Sequence, residues 1–395
     1  MKKATQLQIK EHNRTLVLRT IYDNEPVSRS AIAKRTLLTK TTVSEVVADL
    51  IEEGFTSEIG HGPSSGGPRP VLLGFQPKAR TLLGVDLAND EFRGSLMDLR
   101  GNILVSEAIP VNNSDGDSAL EKAYSLIDRL KAHKTSPLLG IGIGSPGLIN
   151  ASEGIVRNAV NLDWTDLPLA RILEQRYQIP VYIANDTQVA AMAEYSFGEH
   201  ANTENLAVIK IGIGLSGGFI INKELYHGDG HGAGEIGHIV VAENGIRCRC
   251  GNTGCLETIV SSQALIKHFT AYSLQHPEYL KTLNVGRAEE IRIRNLYQAN
   301  LNGDPVMAAY MKNASHYLSI SISHVVGILN IETVVLAGML AKFFAPYLKD
   351  IAHEIRQRSL SALSDNTKIM LSNLGDDIVT LGAGSLVLKN ELELV

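Results

Sequence analysis

The first 80 residues contain three stretches in which apolar residues recur at the spacing of an α-helix. The pattern predicts a first helix over Leu7–Tyr22, which ends before Pro26 because proline disfavours helical geometry in the preceding residue. Ser28 can cap a short second helix over Arg29–Arg35, and Thr39 can cap a third one. The predicted inward positions are Ile9, Leu16, Val17 and Ile21 of the first helix, Ile32 of the second, and Val43, Val46, Val47, Leu50 and Ile51 of the third.

Two short strand candidates follow the third helix, at Phe55–Ile59 and Val71–Phe75, and flank a Gly/Pro/Ser-rich loop at His61–Pro70. A short helix, a turn, a longer helix and a trailing hairpin form the layout of a winged helix-turn-helix, here over residues 1–76. Polar groups near the helix starts and in the loop suit base and phosphate contacts with double-stranded DNA. The candidate DNA-binding residues are Arg29, Lys40, Thr41, Thr42, Ser44 and Arg69.

The charge distribution agrees with a DNA-binding N-terminal segment. Residues 1–80 hold 12 Lys and Arg against 8 Asp and Glu, whereas the remainder holds 25 against 34. A basic segment on an acidic body is expected where one end of a protein meets an anionic polymer. The alternative is a three-helix module with solvated polar faces that binds another protein.

From about residue 80 the pattern changes to alternating strands and helices, in two related copies. Thr81–Asp86 and Arg93–Asp98 open the first copy, and Leu206–Gly212 and Gly217–Asn222 open the second, with helical patterns after each pair. A repeated β-β-β-α-β-α-β unit predicts an α/β body, residues 77–395, with two lobes facing one cleft. We expect lobe one at about residues 80–200 and lobe two at about 201–395, with the C-terminal helix as a candidate to return to lobe one.

The composition is that of a globular protein, with 44% hydrophobic and 20% charged residues among 395. No stretch of 18 residues is both uncharged and continuously apolar, which argues against membrane insertion, and the polar, basic Met1–Lys10 does not look like a secretory signal. We therefore expect a cytoplasmic protein of two to three domains.

The three cysteines lie within eight residues, at Cys248, Cys250 and Cys255, and His238 precedes them by ten residues. Three thiolates and one imidazole make a tetrahedral Zn²⁺ shell, and Gly251 can let the backbone turn around the ion. Four protein ligands leave no open position, so the predicted zinc is structural. Three free buried cysteines are the alternative.

Several carboxylates and amides occur beside this cluster and at one strand end. Glu235 and Glu257 flank the predicted metal ligands, and Asn185 and Asp186 follow the apolar strand Val181–Ala184. Hydroxyl groups donate to Asp and Glu and accept from Asn and His, so this set suits a neutral, polyhydroxylated ligand. The pattern favours a sugar site, although Asp186 as a plain helix cap is an alternative.

Together with Gly144–Gly147 and Asn161–Trp164, these motifs resemble the ROK family (repressor, open reading frame, kinase) over about residues 80–390. With the N-terminal winged helix-turn-helix, the whole chain resembles the family's sugar-responsive transcriptional repressors. The resemblance implies an actin-like, ribonuclease-H-like fold with a monosaccharide in the interlobe cleft, and it implies that His238 serves both sugar and zinc. The implied sugar-binding residues are Asn161, Asn185, Asp186, Glu235, His238 and Glu257.

In kinases of this family, the residue matching Asp186 would accept the proton of the attacking sugar hydroxyl. Those kinases carry an Asp-x-Gly-Gly-Thr-Lys phosphate loop, whereas this chain has Asp86-Leu-Ala-Asn-Asp90-Glu91. Both glycines and the lysine are missing, and two carboxylates stand where polyphosphate would sit. We therefore expect a repressor that is not an enzyme. Since one winged helix-turn-helix reads only half a site, we also expect a homodimer on a pseudo-palindromic operator. A sugar kinase with a DNA-binding head and a regulator controlled by a protein partner are the alternatives.

Overall fold

The N-terminal domain consists of three helices and a small antiparallel sheet. The computed structural model describes residues 5–63, 69–88, 90–112, 114–199, 201 and 203–395. Residues 64–68 of the predicted loop His61–Pro70 lie outside this part. The elements of the head are α1 (Gln6–Asn24), β1 (Val27–Ser28), α2 (Arg29–Thr36), α3 (Lys40–Glu52), β2 (Thr56–His61) and β3 (Val71–Phe75).

The head has the predicted helix-turn-helix and wing, with differences at its edges. Ser28 and Thr39 accept hydrogen bonds from the amides of Ala31 and Thr42, which caps α2 and α3 as expected. The short strand β1 was not predicted; it pairs with β3, which gives the sheet the order β1-β3-β2. The prediction for Ile9 was wrong, since it is 50% exposed: the first two turns of α1 extend beyond the helices that bury its later residues.

Lobe one is built on a sheet with the strand order β11-β7-β4-β5-β6, in which β4, β7 and β11 are parallel. A small antiparallel sheet, β10-β9-β8, packs beside it and was not predicted. The elements are β4 (Thr81–Asp86), β5 (Glu91–Asp98), β6 (Ile103–Pro110), α4 (Gly116–Ala132), β7 (Leu138–Ser145), β8 (Leu148–Asn150), β9 (Ile155–Ala159), β10 (Trp164–Leu167), α5 (Leu169–Tyr177), β11 (Val181–Asn185) and α6 (Asp186–Phe197).

Lobe two repeats the plan with the sheet order β14-β13-β12-β15-β16, in which β12, β15 and β16 are parallel. Its helices cover the sheet with a separate apolar core. The elements are β12 (Leu206–Ile211), β13 (Leu215–Ile221), β14 (Glu224–Leu225), α7 (Glu257–Val260), α8 (Ser262–Gln275), α9 (Tyr279–Thr282), α10 (Ile293–Leu301), α11 (Pro305–Leu329), β15 (Thr333–Ala337), α12 (Leu348–Arg358), α13 (Ser361–Ser364), β16 (Lys368–Leu371) and α14 (Ile378–Leu392).

The C-terminal helix α14 packs on α6 and on strands β4 and β7 of lobe one. The contact is close because small residues face it: a Cβ on Gly382 would lie 1.7 Å from the carbonyl oxygen of Val189, and one on Gly142 would lie 1.8 Å from that of Ala383. Glycine at these positions therefore lets helix and sheet backbones approach. Gly384 packs in the same way, since a Cβ there would lie 2.4 Å from the sulfur of Met97 in β5.

The head rests directly on lobe one through Arg100, in the turn between β5 and β6. Its guanidinium lies 3.7 Å from the ring centre of Tyr22, and its Nη2 donates to Glu25 Oε1 at 2.6 Å. Glu25 also accepts the backbone N–H of Phe75, at 2.5 Å. The apolar core of the head continues without a break into the core around α6 and α14. Head and body are thus joined by packed side chains as well as by the chain itself.

Among the described residues, no helix combines the length and the apolar character needed to cross a membrane.

Candidate functional site

A cavity of about 560 Å³ opens between the two lobes. Its polar wall comes from the start of α6 and from the loops before and after the cysteine cluster. Leu148 and Val160 supply an apolar wall, on which the CH groups of a sugar ring could pack. The six residues predicted to bind sugar all line this cavity: Asn161, Asn185, Asp186, Glu235, His238 and Glu257.

Asn185 and Asp186 lie where β11 ends and α6 begins. Asn185 is the helix cap: its Oδ1 accepts from the amide of Thr187 at 2.9 Å, while its Nδ2 donates to the carbonyl of Gly147 at 3.0 Å. The alternative of Asp186 as the cap is therefore wrong. Because Asn185 satisfies the first turn, the Asp186 carboxylate projects into the cleft, where Lys210 Nζ lies 2.5 Å from its Oδ2.

Glu257 is held in place on the opposite side of the cavity. Its Oε2 accepts from the amide of Leu215 at 3.3 Å, and its Oε1 lies 3.8 Å from Arg249 Nη2. A Cβ on Gly214 would come within 2.8 Å of the same carboxylate. Glycine at position 214 is thus required for this close approach.

Glu235 completes the acidic side of the cavity. Burial raises the pKa of its carboxyl, and the negative charges of Asp186 and Glu257 reinforce the shift, against the opposing effect of His238. A carboxyl with a raised pKa takes up a proton more readily than one with an ordinary pKa. Such a group is suited to hydrogen bonds with ligand hydroxyls.

His238 and the cysteines form one compact cluster of donor atoms, all within 4.8 Å of each other. Cys248 Sγ lies 3.6 Å from His238 Nδ1, and Cys250 Sγ lies 3.6 Å from Cys255 Sγ. Bonds of about 2.3 Å in a tetrahedron separate two sulfur ligands by roughly 3.8 Å, so the spacing fits a bound metal. His238 Nε2 faces the other way, 3.7 Å from Glu235 Oε2. The ring therefore connects the cluster to the cavity.

The loop that carries the cysteines is shaped for this cluster. Gly251 and Gly254 have φ of +97° and +79°, the left-handed region that glycine adopts without strain. Burial and the neighbouring cysteines raise the pKa of the Cys255 thiol to about 12 in the absence of metal, whereas hydrogen bonding, chiefly to the backbone of Asn252, lowers that of Cys250. The cluster could hold a metal ion with four protein ligands.

A second cavity, of about 890 Å³, lies on the far side of Lys210. Asp86, Asp90 and Glu91 line it, in the segment that matches the phosphate loop of the family's kinases, and Gly338 lines it from the C-terminal end of β15. Asp86 is buried, and its Oδ1 accepts the amide of Ala88 at 2.8 Å. Asp90 and Glu91, the two carboxylates predicted to stand where a polyphosphate would sit, therefore do face this cavity.

The candidate DNA-binding residues fall into two groups. Lys40, Thr41 and Ser44 are exposed on the first turns of α3, and Arg69 is exposed beside the described end of the wing loop. The other two candidates have partners within the head. Arg29 pairs with Glu58 of the wing at 2.9 Å, and the Thr42 hydroxyl lies 2.9 Å from that of Thr39 in the helix cap.

Lys210 and Arg100 were not among the predicted functional residues. Lys210 is a single cation within the apolar strand Leu206–Ile211, and a charge at such a position is a signal that could have been used. Arg100 lies in an ordinary polar turn, and nothing in the local sequence marks it as a contact of the head.

Comparisons with known proteins match this arrangement over nearly the whole chain. Residues 82–390 match the ROK family, and residues 12–55 match the MarR family. The chain belongs to the ROK family. It is 35% identical, over 97% of both chains, to the xylose repressor of Caldicellulosiruptor bescii, and 32% identical to a glucokinase of Halalkalibacterium halodurans over 79% of this chain and 96% of that one.

A solved structure of a ROK family transcriptional regulator, a homologue of the E. coli MLC protein, superposes with a TM-score of 0.84 at 27% identity, covering 98% of both chains. These findings confirm the predicted fold: a helix-turn-helix head followed by an α/β ROK body. They also support the predicted class, a sugar-responsive transcriptional repressor. The glucokinase shows that the same family includes enzymes, so sugar phosphorylation has to be tested separately.

Proposed function

We propose that this protein is a sugar-responsive transcriptional repressor whose head binds operator DNA and whose interlobe cavity binds a neutral monosaccharide. The observation that carries the proposal is the convergence of Asn161, Asn185, Asp186, Glu235, His238 and Glu257 on one cavity of a chain that also bears a helix-turn-helix. The same residues would supply hydrogen-bond acceptors and donors around a sugar ring.

The charges of the cavity favour a neutral sugar over a sugar phosphate or sugar acid. Its cations Lys210 and Arg249 both face carboxylates, Asp186 at 2.5 Å and Glu257 at 3.8 Å. Glu235 adds a further acidic group. An anionic ligand would have to compete with these carboxylates, whereas a hydroxyl group donates to them. Since a similar full-length protein is named a xylose repressor, D-xylose is the first candidate.

We assign the cluster of His238, Cys248, Cys250 and Cys255 as a structural Zn²⁺ site. Its donor set and spacing fit that ion, and four ligands leave no position for water. The ion would fix the loops that carry Glu235 and Glu257. His238 would bind it through Nδ1, leaving Nε2 for a ligand hydroxyl.

The head would read operator DNA through α3, whose exposed Lys40, Thr41 and Ser44 stand at the end that enters a major groove. Arg29 and Thr42 have partners inside the head and would orient it or contact backbone phosphates. One head reads only half a site, so we propose a homodimer on a pseudo-palindromic operator.

A sugar kinase with a fused head is the second candidate, favoured by the retained Asp186. Against it stand the carboxylates of Asp90 and Glu91, which would face the polyphosphate of a nucleotide. An assay coupling ATP consumption to sugar phosphorylation separates the two. Turnover of any sugar in the panel would favour the kinase, and its absence would favour a purely regulatory protein.

The direct test is a thermal-shift screen of the full chain against D-xylose, D-glucose and N-acetyl-D-glucosamine. A ligand at 100 times its dissociation constant adds roughly 2.7 kcal/mol of stability. Operator binding is then titrated with and without the sugar that binds. Stabilisation together with a shift in operator affinity supports the proposal. A chain that binds operator but responds to none of these sugars would instead favour control by a protein partner.

A further inference from the structure

Lys210 is placed at the boundary between the two cavities of the cleft and lines both. It lies near the end of β12, in register with Ser216 of β13 and Ala337 of β15. Its side chain is 12% exposed, and so is that of Asp186, whose Oδ2 lies 2.5 Å from the ammonium. Lys210 thus enters the cleft from lobe two and meets a carboxylate at the first residue of α6.

The environment keeps Lys210 charged. Burial by itself lowers the pKa of an amine, but the carboxylates of Asp186 and Asp86 outweigh burial and raise the pKa of Lys210 above its ordinary value. Asp86 belongs to β4 of lobe one, so the ammonium lies among charges from different parts of the cleft. At neutral pH it is a fixed cation between two buried carboxylates.

We propose that Lys210 is a positioning residue of the sugar site. Its ammonium holds Oδ2 of Asp186, so that Oδ1 is left to accept a ligand hydroxyl, and its side chain separates the ligand from the second cavity. This inference rests on the proposed function, because it takes a monosaccharide as the occupant of the first cavity.

The physical reason is the cost of a buried charge without a partner. Removing one member of a buried ion pair leaves the other charge uncompensated, whereas removing both charges avoids that penalty. If Lys210 acts through Asp186, then its loss will weaken sugar binding only while Asp186 keeps its carboxylate. If Lys210 merely filled space, its replacement by methionine would change sugar binding by the same amount with and without the Asp186 carboxylate.

The test uses the full chain and titration calorimetry with D-xylose, D-glucose and N-acetyl-D-glucosamine as probes. The variants are Lys210→Met, Lys210→Arg, Asp186→Asn and the double variant, with the exposed Lys267→Met as matched control. We expect Lys210→Met to weaken binding about tenfold or more, Lys210→Arg to restore most of it, and Lys210→Met to add little in the Asp186→Asn background.

Operator binding without sugar verifies that each variant is folded. If Lys210→Met binds the sugar as wild type does, or if its effect is the same with and without the Asp186 carboxylate, the inference is wrong. If Lys210→Met does not fold, Lys210→Arg decides: a folded arginine variant with wild-type affinity supports the need for a cation, and one that has lost binding contradicts it. If wild type binds none of the probes, the proposed function fails first, and the inference with it.

Discussion

The ligand cleft and the DNA-facing head differ in how far their functional side chains are held before any partner binds. In the cleft, Asp186 is paired with Lys210, and Glu257 accepts a backbone amide. On the head, Lys40 and Ser44 project from an exposed turn of α3. The side chains of the cleft therefore lose most of their conformational entropy during folding, whereas those of the head lose it only when they bind DNA. Substitutions in the cleft should affect stability and ligand binding together, and those on the head should affect DNA binding alone.

The largest effect is expected from the metal cluster, the most strongly organised part of the cleft. Cys255 is fully buried, so Cys255→Ala should remove the metal, lower the melting temperature of the body and abolish sugar binding. Structural zinc contributes as much as about 10–16 kcal/mol of binding free energy in small peptides, and this energy is coupled to folding. Elemental analysis measures the metal content, and calorimetric melting measures the stability of the body. Arg249→Ala, between two of the ligands, is the matched control for metal content, and a Cys255→Ala variant with one full equivalent of zinc would refute the assignment.

The next effect concerns the response to sugar. Asp186→Ala removes the acceptor at the start of α6 and should abolish the sugar-dependent change in operator affinity. Such changes are typically about 5- to 150-fold. Operator affinity without sugar should stay near that of wild type, because α6 begins in the cleft, remote from the recognition helix. Asp350→Ala, an exposed carboxylate on α12, serves as control. A mutant that still responds like wild type would mean that the cleft is not the sensor.

Substitutions on the head should change DNA binding and leave sugar binding as it is. Lys40→Ala and Ser44→Ala should each weaken specific operator binding by about 1–3 kcal/mol per lost base contact and leave sugar binding unchanged. Fluorescence anisotropy with operator and with scrambled DNA separates specific from non-specific binding. Lys312→Ala, exposed on the body helix α11, is the control. Equal losses on both DNAs would place these residues on phosphates instead of bases.

The same contrast explains what sequence patterns could predict. The caps Ser28 and Thr39, the stripe of α3 and the cysteine spacing are local signals, and the structure places these residues as expected. The six predicted sugar ligands meet in one cavity because each lies beside a strand end or the metal loop. How those residues contact a sugar stays a prediction.

The features that were missed depend on contacts between distant segments. Lys210 meets Asp186 only because β12 and α6 are brought together, and Arg100 meets Tyr22 across 78 residues of chain. The sheet β8–β10 and the strand β1 are short and lack a clear alternating pattern. Periodicity within one segment carries no information about such pairings.

A smaller effect is expected where the head meets lobe one, because this contact would transmit the sugar signal between the two regions. Helix α6 spans roughly 18 Å from Asp186 to Phe197, and a Cβ on Gly101, next to Arg100, would lie 2.8 Å from the Phe197 ring. Arg100 in turn contacts Tyr22 and Glu25 of the head. Arg100→Met should reduce the coupling between sugar and operator by about 0.5–2 kcal/mol while each affinity alone changes less. Arg129→Met on the surface of α4 is the control, and undiminished coupling in Arg100→Met would assign transmission to the linker alone.

The smallest effect is expected from the wing. Arg69 is exposed at the described edge of the loop and would lie along the DNA backbone if the head docks as proposed. Each phosphate contact releases counterions, so Arg69→Ala should reduce the slope of log K against log salt by about 1. The loss at any one salt concentration should be similar for operator and scrambled DNA, since phosphates carry no sequence information. Anisotropy titrations from about 50 to 200 mM salt measure the slope. An unchanged slope would mean that the wing does not contact DNA and that α3 is the part of the head that does. A loss of affinity for the operator alone would place Arg69 on a base edge.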